Sequence, residues 1–383
     1  MQNRPKLRFK EFNDEWSNPT LGDVCAIYDG THQTPDYKES GVQFLSVENI
    51  KDIDASNKFI SEEDFRRDFK IKPEVNDILM TRIGDIGTPA LVKTNKDYAY
   101  YVSLALLKCK NDILPSYLLQ AIVEDNFQRQ LWKKTLHVAF PKKINKGDIG
   151  KCKIKHPSLP EQQKIAEFLS KVDEVIAERE AEVKDLEQKK KGLMQKLFSQ
   201  QLRFTDSNNQ PYPDWKEKFI EDVCNITTGK GNTQDKEEDG IYPFYVRSPI
   251  VERSNKYIFD GEAVLTVGDG VGTGKVFHYV RGKFNYHQRV YNMHSFRNAL
   301  GKYFYYYFSC NFYSRVKKMT AKTSVDSVRL EMISKMKIQL PCLEEQEKIA
   351  KVLSKLDELI EEKKALLSDW QQFKKGLLQQ MFV

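Results

Sequence analysis

The chain repeats itself, and that constrains its fold more than any other feature. Residues 159–198 open with LPEQQKIAEFLSKVDEVI and close with KKKGLMQKLF; residues 343–382 open with LEEQEKIAKVLSKLDELI and close with FKKGLLQQMF. The two segments align without a gap at a spacing of 184 and are identical at 22 of 40 positions. Upstream, KCKIKHP (151–157) is echoed by KMKIQLP (335–341). Near the start of each half, Leu7-Arg8-Phe9, Trp16 and Asp23-Val24-Cys25 return as Leu202-Arg203-Phe204, Trp215 and Asp222-Val223-Cys224, with four extra residues between the first two landmarks of the second half. Repeats are read before anything else because they decide the architecture. Here a whole unit of about 190 residues has been duplicated.

Each unit reads as a mixed α/β (α+β) globular part followed by a long helix. Strand-like runs at Val42–Val47, Asp77–Thr81 and Leu104–Cys109 have counterparts at Tyr242–Val246 and Ala263–Val267. The glycine turns Gly84-Asp85-Ile86-Gly87-Thr88 and Gly268-Asp269-Gly270-Val271-Gly272-Thr273 follow equivalent strands. Helical stretches are expected near Ser116–Lys133 and Ala299–Lys318. The expected division is a first globular domain at 1–158, a helix at 159–200, a second domain at 201–342 and a second helix at 343–383. Between the shared landmarks the two halves diverge widely.

In the first long helix Ile165, Leu169, Val172, Ile176, Val183, Leu186, Leu193 and Leu197 follow a 4–3 heptad spacing. Ile349, Leu353, Leu356, Ile360, Leu367, Trp370, Leu377 and Met381 repeat it. Such a seam buries against another helix, and each helix finds its best partner in the other as a coiled coil. Arg179 and Lys190, with Lys363 and Lys374 as their repeats, interrupt the apolar pattern. Their stems can lie along the seam while the charged heads stay in water. Each helix is net acidic in its first half and net basic in its second, which favours antiparallel pairing. A helix of about 38 residues spans about 57 Å, on the order of 17 base pairs of duplex. The pair therefore reads as a spacer, although a symmetric register would bring Arg179 and Lys363 together.

Bulk properties narrow the function. Charged residues make up 30% of the 383, and Tyr and Phe number 18 and 22, as in a folded soluble protein. No signal peptide or membrane span is apparent, so a cytoplasmic location is expected. Cysteines 25, 109, 152, 224, 310 and 342 form no CxxC pair and read as free thiols. Net charge is +7, but each long-helix segment carries about −1, which leaves about +9 on the globular parts. That distribution suits a polyanionic ligand.

The doubled block LPEQQKIA…LSKVDEVI…KKGL, the opening at Trp16, Leu21, Gly22, Asp23 and Val24, and the glycine-rich turns resemble the specificity subunits of type I DNA restriction–modification systems. The resemblance spans essentially the whole chain in the expected order. It implies two target recognition domains, each binding one half of a bipartite, asymmetric double-stranded DNA site. It further implies helices that fix the gap and dock two methyltransferase subunits, joined by two restriction (translocase and nuclease) subunits. S-adenosylmethionine, ATP and Mg would serve those partners, with no cofactor bound and no catalysis performed by this chain. No Asn-Pro-Pro-aromatic or Asp-Pro-Pro-aromatic motif is present. The run GDGVGTGKV (268–276) fails the phosphate-loop spacing and reads as a glycine turn. A competing reading is a stand-alone DNA-binding adaptor or antirestriction protein without a methyltransferase partner.

Base and phosphate contacts call for Arg, Lys, Asn, Gln and hydroxyls on loops. Three loop regions recur in both halves. The first holds Thr31, His32 and Gln33, paired with Lys230, Asn232 and Gln234. The second holds Arg82, paired with the turn that ends at Lys275. The third holds Lys142 and Lys143 beside His137, paired with Lys322, Thr323 and Ser324. Gln288 and Arg289 are further candidates. His32, His137 and His287 have no partner at metal-ligand spacing, so no metal site is expected.

Overall fold

The computed structural model describes residues 4–270, 272–319 and 327–382. It divides into two compact units: Met1–Glu180 with Ala365–Val383, and Ala181–Lys364. Each unit thus holds one globular part together with a share of each long helix.

In the first unit the elements run α1 (Leu21–Val24), β1 (Cys25–Asp29), β2 (Val42–Leu45), β3 (Phe59–Ile60), α2 (Glu62–Asp68), β4 (Ile78–Thr81), β5 (Pro89–Leu91), β6 (Tyr98–Tyr100), β7 (Leu104–Cys109), α3 (Pro115–Val123), α4 (Asp125–Lys134), α5 (Lys146–Gly150) and the start of α6 (Leu159–Phe198). The Leu-Gly-Asp-Val opening is a single helical turn because Asp23 folds back to accept from Thr20 N–H at 2.8 Å. A four-stranded sheet runs β1-β7-β4-β5 and a three-stranded sheet β3-β2-β6. Alternation along the strands gives the unit two cores. Ile78, Met80, Ala105 and Leu107 face the helices, while Leu79, Leu104 and Leu106 face Phe44, Phe65 and Tyr98. The helix expected near Ser116–Lys133 is two helices. Glu124 turns extended and its carboxylate accepts from the N–H groups of Asn126 and Phe127, each at 2.8 Å, restarting the helix as an N-cap.

In the second unit the elements are β8 (Lys216–Phe219), α7 (Ile220–Val223), β9 (Asn225–Thr228), β10 (Tyr242–Tyr245), β11 (Val251–Ser254), β12 (Phe259–Val267), β13 (Phe277–Tyr286), β14 (Val290–His294), α8 (Gly301–Met319), α9 (Leu330–Ser334), β15 (Lys337–Leu340) and the start of α10 (Leu343–Met381). One six-stranded sheet runs β11-β10-β13-β12-β14-β9, with β15 and β8 paired beside it. The parallel pair β2–β6 is matched by β10–β13, with Phe44 opposite Ala99 and Phe244 opposite Asn285.

The start of each repeated helix grips its own globular part through a Glu-Gln pair. Glu161 accepts from Arg8 Nε at 2.7 Å and Trp16 Nε1 at 3.0 Å; Glu345 accepts from Arg203 Nε at 3.2 Å and Trp215 Nε1 at 2.9 Å. These hydrogen bonds hold both guanidinium groups above their ordinary pKa. Gln162 accepts from Leu114 N–H and Gln346 from Leu300 N–H, both at 2.9 and 2.8 Å respectively. All four acidic and amide side chains are buried. A buried charge is tolerated only when paired and hydrogen-bonded, and both copies meet that condition alike.

The long helices pair antiparallel in each unit. In the first, Lys374 donates to Asp173 at 2.5 Å and Gln371 to Glu180 at 3.2 Å. In the second, Lys190 donates to Asp357 and Lys363 pairs with Glu182 at 2.7 Å. Lys190–Asp357 and Lys374–Asp173 are the same contact made once per repeat. The polar breaks in the heptad pattern at these two lysines are therefore cross-helix ion pairs. The seam itself is more than a two-helix contact. Ile165, Leu169, Val172 and Leu377 lie in the core that also holds Trp16 and Tyr117. Ile349 and Leu353 lie in the core of the second globular part. Ile360 is buried, and Ile176, Leu186, Leu193, Leu356 and Trp370 are half-buried. The far end of the opposite helix completes each core: Phe382 stacks on Tyr117 at 5.6 Å, and its repeat Phe198 meets Tyr303 edge-on at 5.9 Å.

Candidate nucleic-acid interface

In the first unit the three loop regions are laced together by backbone hydrogen bonds. Val102 N–H donates to Thr31 O at 2.9 Å and Arg82 N–H to Ser103 O at 2.9 Å. Ile144 N–H donates to Arg82 O at 3.0 Å and Gly84 N–H to Lys142 O at 2.8 Å. Gly30 makes the first junction possible, because a Cβ there would collide with the carbonyl of Tyr100. His32 and Gln33 are exposed beside Thr31, and Lys142 and Lys143 are exposed on the third loop. Lys142 holds its ammonium 4.7 Å from the ring centre of Trp132.

Arg82 is placed differently from the other candidates. Its side chain is 8% exposed and pairs with Asp29, the residue before Gly30, while its Nε donates to Ile144 O at 3.1 Å. The guanidinium therefore ties all three loops to one another from beneath. His137 is likewise engaged locally, with Nε2 2.9 Å from Trp132 O.

The second unit makes the same joints with other residues. Gln288 N–H donates to Gly231 O at 2.9 Å, Gly268 N–H to Arg289 O at 2.7 Å, and Val328 N–H to Gly268 O at 2.7 Å. Gly229 repeats the close approach of Gly30, here against Tyr286 O. The glycine run is a turn: Gly270 and Gly274 have φ of 86° and 69°, and Thr273 Oγ1 donates to Gly270 O at 2.5 Å. An open cleft of about 660 Å³ lies among these joints, lined by Asp269, Gln288, Arg289 and Arg329 among others. Arg247 and Arg289 each approach Asp269 at 3.6 Å. Gln288 Nε2 donates to Asn232 Oδ1 at 2.8 Å, so two candidates present a joined amide edge. Lys230, Gln234 and Lys275 are exposed, with Lys275 5.0 Å from the ring centre of Tyr313. His287 is buried; its Nδ1 accepts from Arg289 N–H at 3.0 Å, and burial lowers its pKa, with Arg247 adding to the effect. Lys322, Thr323 and Ser324 lie outside the described residues.

Two cationic residues here escaped the sequence reading: Arg329, which lines the cleft, and Arg247, which approaches the cleft residue Asp269. Arg247 directly follows the strand run Tyr242–Val246, and Arg329 follows the polar loop, so position after a strand or loop was the available signal. The groups gathered in both units are donors and acceptors suited to base edges and phosphates. Among the described residues, no group of three or more His, Cys, Asp or Glu could hold a metal ion, and no helix is long and apolar enough to cross a membrane.

Two matched globular parts, each with polar loops meeting at the same backbone joints and each gripped by a repeated helix, define a paired recognition scaffold. The chain belongs to the type I restriction modification DNA specificity domain family, whose sequence pattern matches residues 13–188 and 212–368; it is a DNA specificity subunit, itself non-catalytic. It is similar to the type I restriction enzyme MjaVIII specificity subunit of Methanocaldococcus jannaschii, at 25% identity over 99% of this chain and 96% of that one. It is also similar to the type I restriction enzyme EcoDI specificity subunit of Escherichia coli, at 30% identity over 43% of this chain and 36% of that one. Its fold is that of the type I restriction–modification S subunit from M. genitalium, with a TM-score of 0.64, 16% identity and 99% of each chain covered.

Proposed function

We propose that each unit binds one half of an asymmetric, bipartite target in double-stranded DNA, and that the paired helices set the distance between the halves. The observation that carries this reading is that the first two loop regions meet at matching backbone joints in both units, with different side chains on each, and that Val328 N–H to Gly268 O repeats the joint of Ile144 to Arg82. Thr31, His32, Gln33, Lys142 and Lys143 face the first half-site, with Arg82 positioning them. Lys230, Asn232, Gln234, Lys275, Gln288, Arg289 and the loop of Lys322, Thr323 and Ser324 face the second. The chain works in the cytoplasm and docks two methyltransferase subunits, which use S-adenosylmethionine, and two restriction subunits, which use ATP and Mg. The family membership supports that assignment of partners.

Mapping methylated positions in DNA from cells that carry this chain and its methyltransferase tests the reading. The expected result is two short motifs at a fixed gap. Replacing Lys230, Asn232 and Gln234 together by alanine should relax one motif and leave the other intact. Removing whole heptads in register from both helices should shorten the gap. An unchanged gap counts against the helices as the spacer. Failure of the adjacent methyltransferase subunit to co-purify favours the stand-alone adaptor.

A further inference from the structure

The third loop of the first unit carries an apolar tip. Val138 and Phe140 are fully exposed, at 100% and 104% relative accessibility, and Trp132 and Leu136 beside them are 55% and 39% exposed. Clusters of exposed large apolar side chains mark contact surfaces. The tip is held on a closed stem: Leu136 N–H donates to Lys143 O at 2.7 Å, and Ala139 N–H to Leu136 O at 3.3 Å. Trp132 is packed by His137 at 4.3 Å between ring centres and by Lys142. The backbone that carries the two side chains is thus closed at its base before any partner arrives, which lowers the entropy cost of using the tip.

Charge decides the partner. Residues 132–146 contain five lysines (133, 134, 142, 143 and 146) and no acidic residue. An apolar knob flanked along the chain by cations suits entry between stacked bases with phosphates on either side, the arrangement by which apolar wedges open base steps. The stem joins the loop network directly, since Gly84 donates to Lys142 O and Ile83 is bridged to Lys143. Resting on the DNA-reading role proposed above, we propose that Phe140, backed by Val138, is a wedge that enters one base step of the half-site bound by the first unit. Lys142 and Lys143 take the flanking phosphates. The corresponding stretch of the second half, TAKTSVDS (320–327), has no aromatic residue. The distortion is therefore confined to one half-site.

The test uses the full chain, without methyltransferase, and duplexes carrying the mapped target with 2-aminopurine placed at one position at a time. Fluorescence should rise several-fold at one step of the first half-site and stay flat across the second. Phe140→Ala should abolish the rise and weaken binding about tenfold, with an unchanged melting temperature because the residue is in solvent. Phe140→Trp should preserve both. Specific binding with flat fluorescence throughout overturns the wedge, as does Phe140→Ala binding like wild type. Loss of the methyltransferase subunit by Phe140→Ala, with DNA distortion intact, also overturns it and makes the tip a protein contact. Wild-type chain that does not distinguish the mapped duplex from a scrambled one removes the DNA-reading role itself, and the wedge with it.

Discussion

The two units build the same frame by different means. In the second, β13 runs unbroken from Phe277 to Tyr286, pairing antiparallel with β12 and parallel with β10, so a single six-stranded sheet results. In the first, the equivalent stretch is split into β5 and β6, and the sheet divides in two. Yet the loops attach at matching joints: Val102 to Thr31 and Gln288 to Gly231, Ile144 to Arg82 and Val328 to Gly268. Loop position is therefore set by the strand ends and the glycine contacts, and tolerates a change in how the sheet is closed. The joints also differ in chemistry. Where the first unit has the buried guanidinium of Arg82, the second has Gly268 and an open cleft lined by Asp269 and Arg289.

The sharpest probe of the shared frame is the buried carboxylate at each helix start. Glu161→Ala removes the buried carboxylate to which Arg8 and the Trp16 indole both donate and should cost about 3–5 kcal/mol; Glu345→Ala should cost the second unit the same. Calorimetry should show one transition falling in each variant. Equal falls of both transitions from a single substitution would mean that the units do not respond separately. Next comes Arg82→Ala, which strips Asp29 and Ile144 O of a charged donor and should destabilise the first unit by about 2–3 kcal/mol. Urea titration followed by hydrogen exchange should locate the loss in the loops around residues 30, 84 and 142, with the second unit untouched.

Smaller effects test the repeated ion pair. Lys190→Met and Lys374→Met should each cost about 1 kcal/mol, and double-mutant cycles with Asp357→Asn and Asp173→Asn should return equal couplings. Unequal couplings would show that the repeat is symmetric in sequence but not in energetics. The smallest effect is one of pH. His278, His287 and His294, all in the second unit, are held below the ordinary imidazole pKa by burial. The unfolded chain then binds more protons than the folded one, so stability is full above about pH 6.5 and is lost as pH falls through that value. His287→Gln should reduce that loss in the second unit, as followed by thermal melts between pH 5 and 8.

Much of this frame was legible in the sequence. The 22 identities located both helices, and the charge order along them gave their antiparallel pairing. The roles of Glu161 and Gln162 were not legible, because their partners at Arg8, Trp16 and Leu114 come from distant parts of the chain. Nor was the break at Glu124, since an acidic residue inside a helical pattern signals nothing until its carboxylate folds onto the next two N–H groups. Candidate loops could be chosen by composition, but their meeting depends on strand order, which hydrophobic alternation does not encode. For the same reason Arg82 read as a surface cation: its burial depends on Asp29 arriving from another strand.

That burial has a consequence for ionic strength. A cation that meets phosphate releases counterions, and each such contact steepens the fall of affinity with added salt. Under the proposed DNA-binding role, Arg82, sealed under its own loops, displaces none, so added salt should weaken the grip of Lys142 and Lys143 while leaving the arginine's contribution in place. On that proposal, the placement of the first unit's loops and the strength of its hold on DNA answer to different side chains, and the ionic medium tunes only the second.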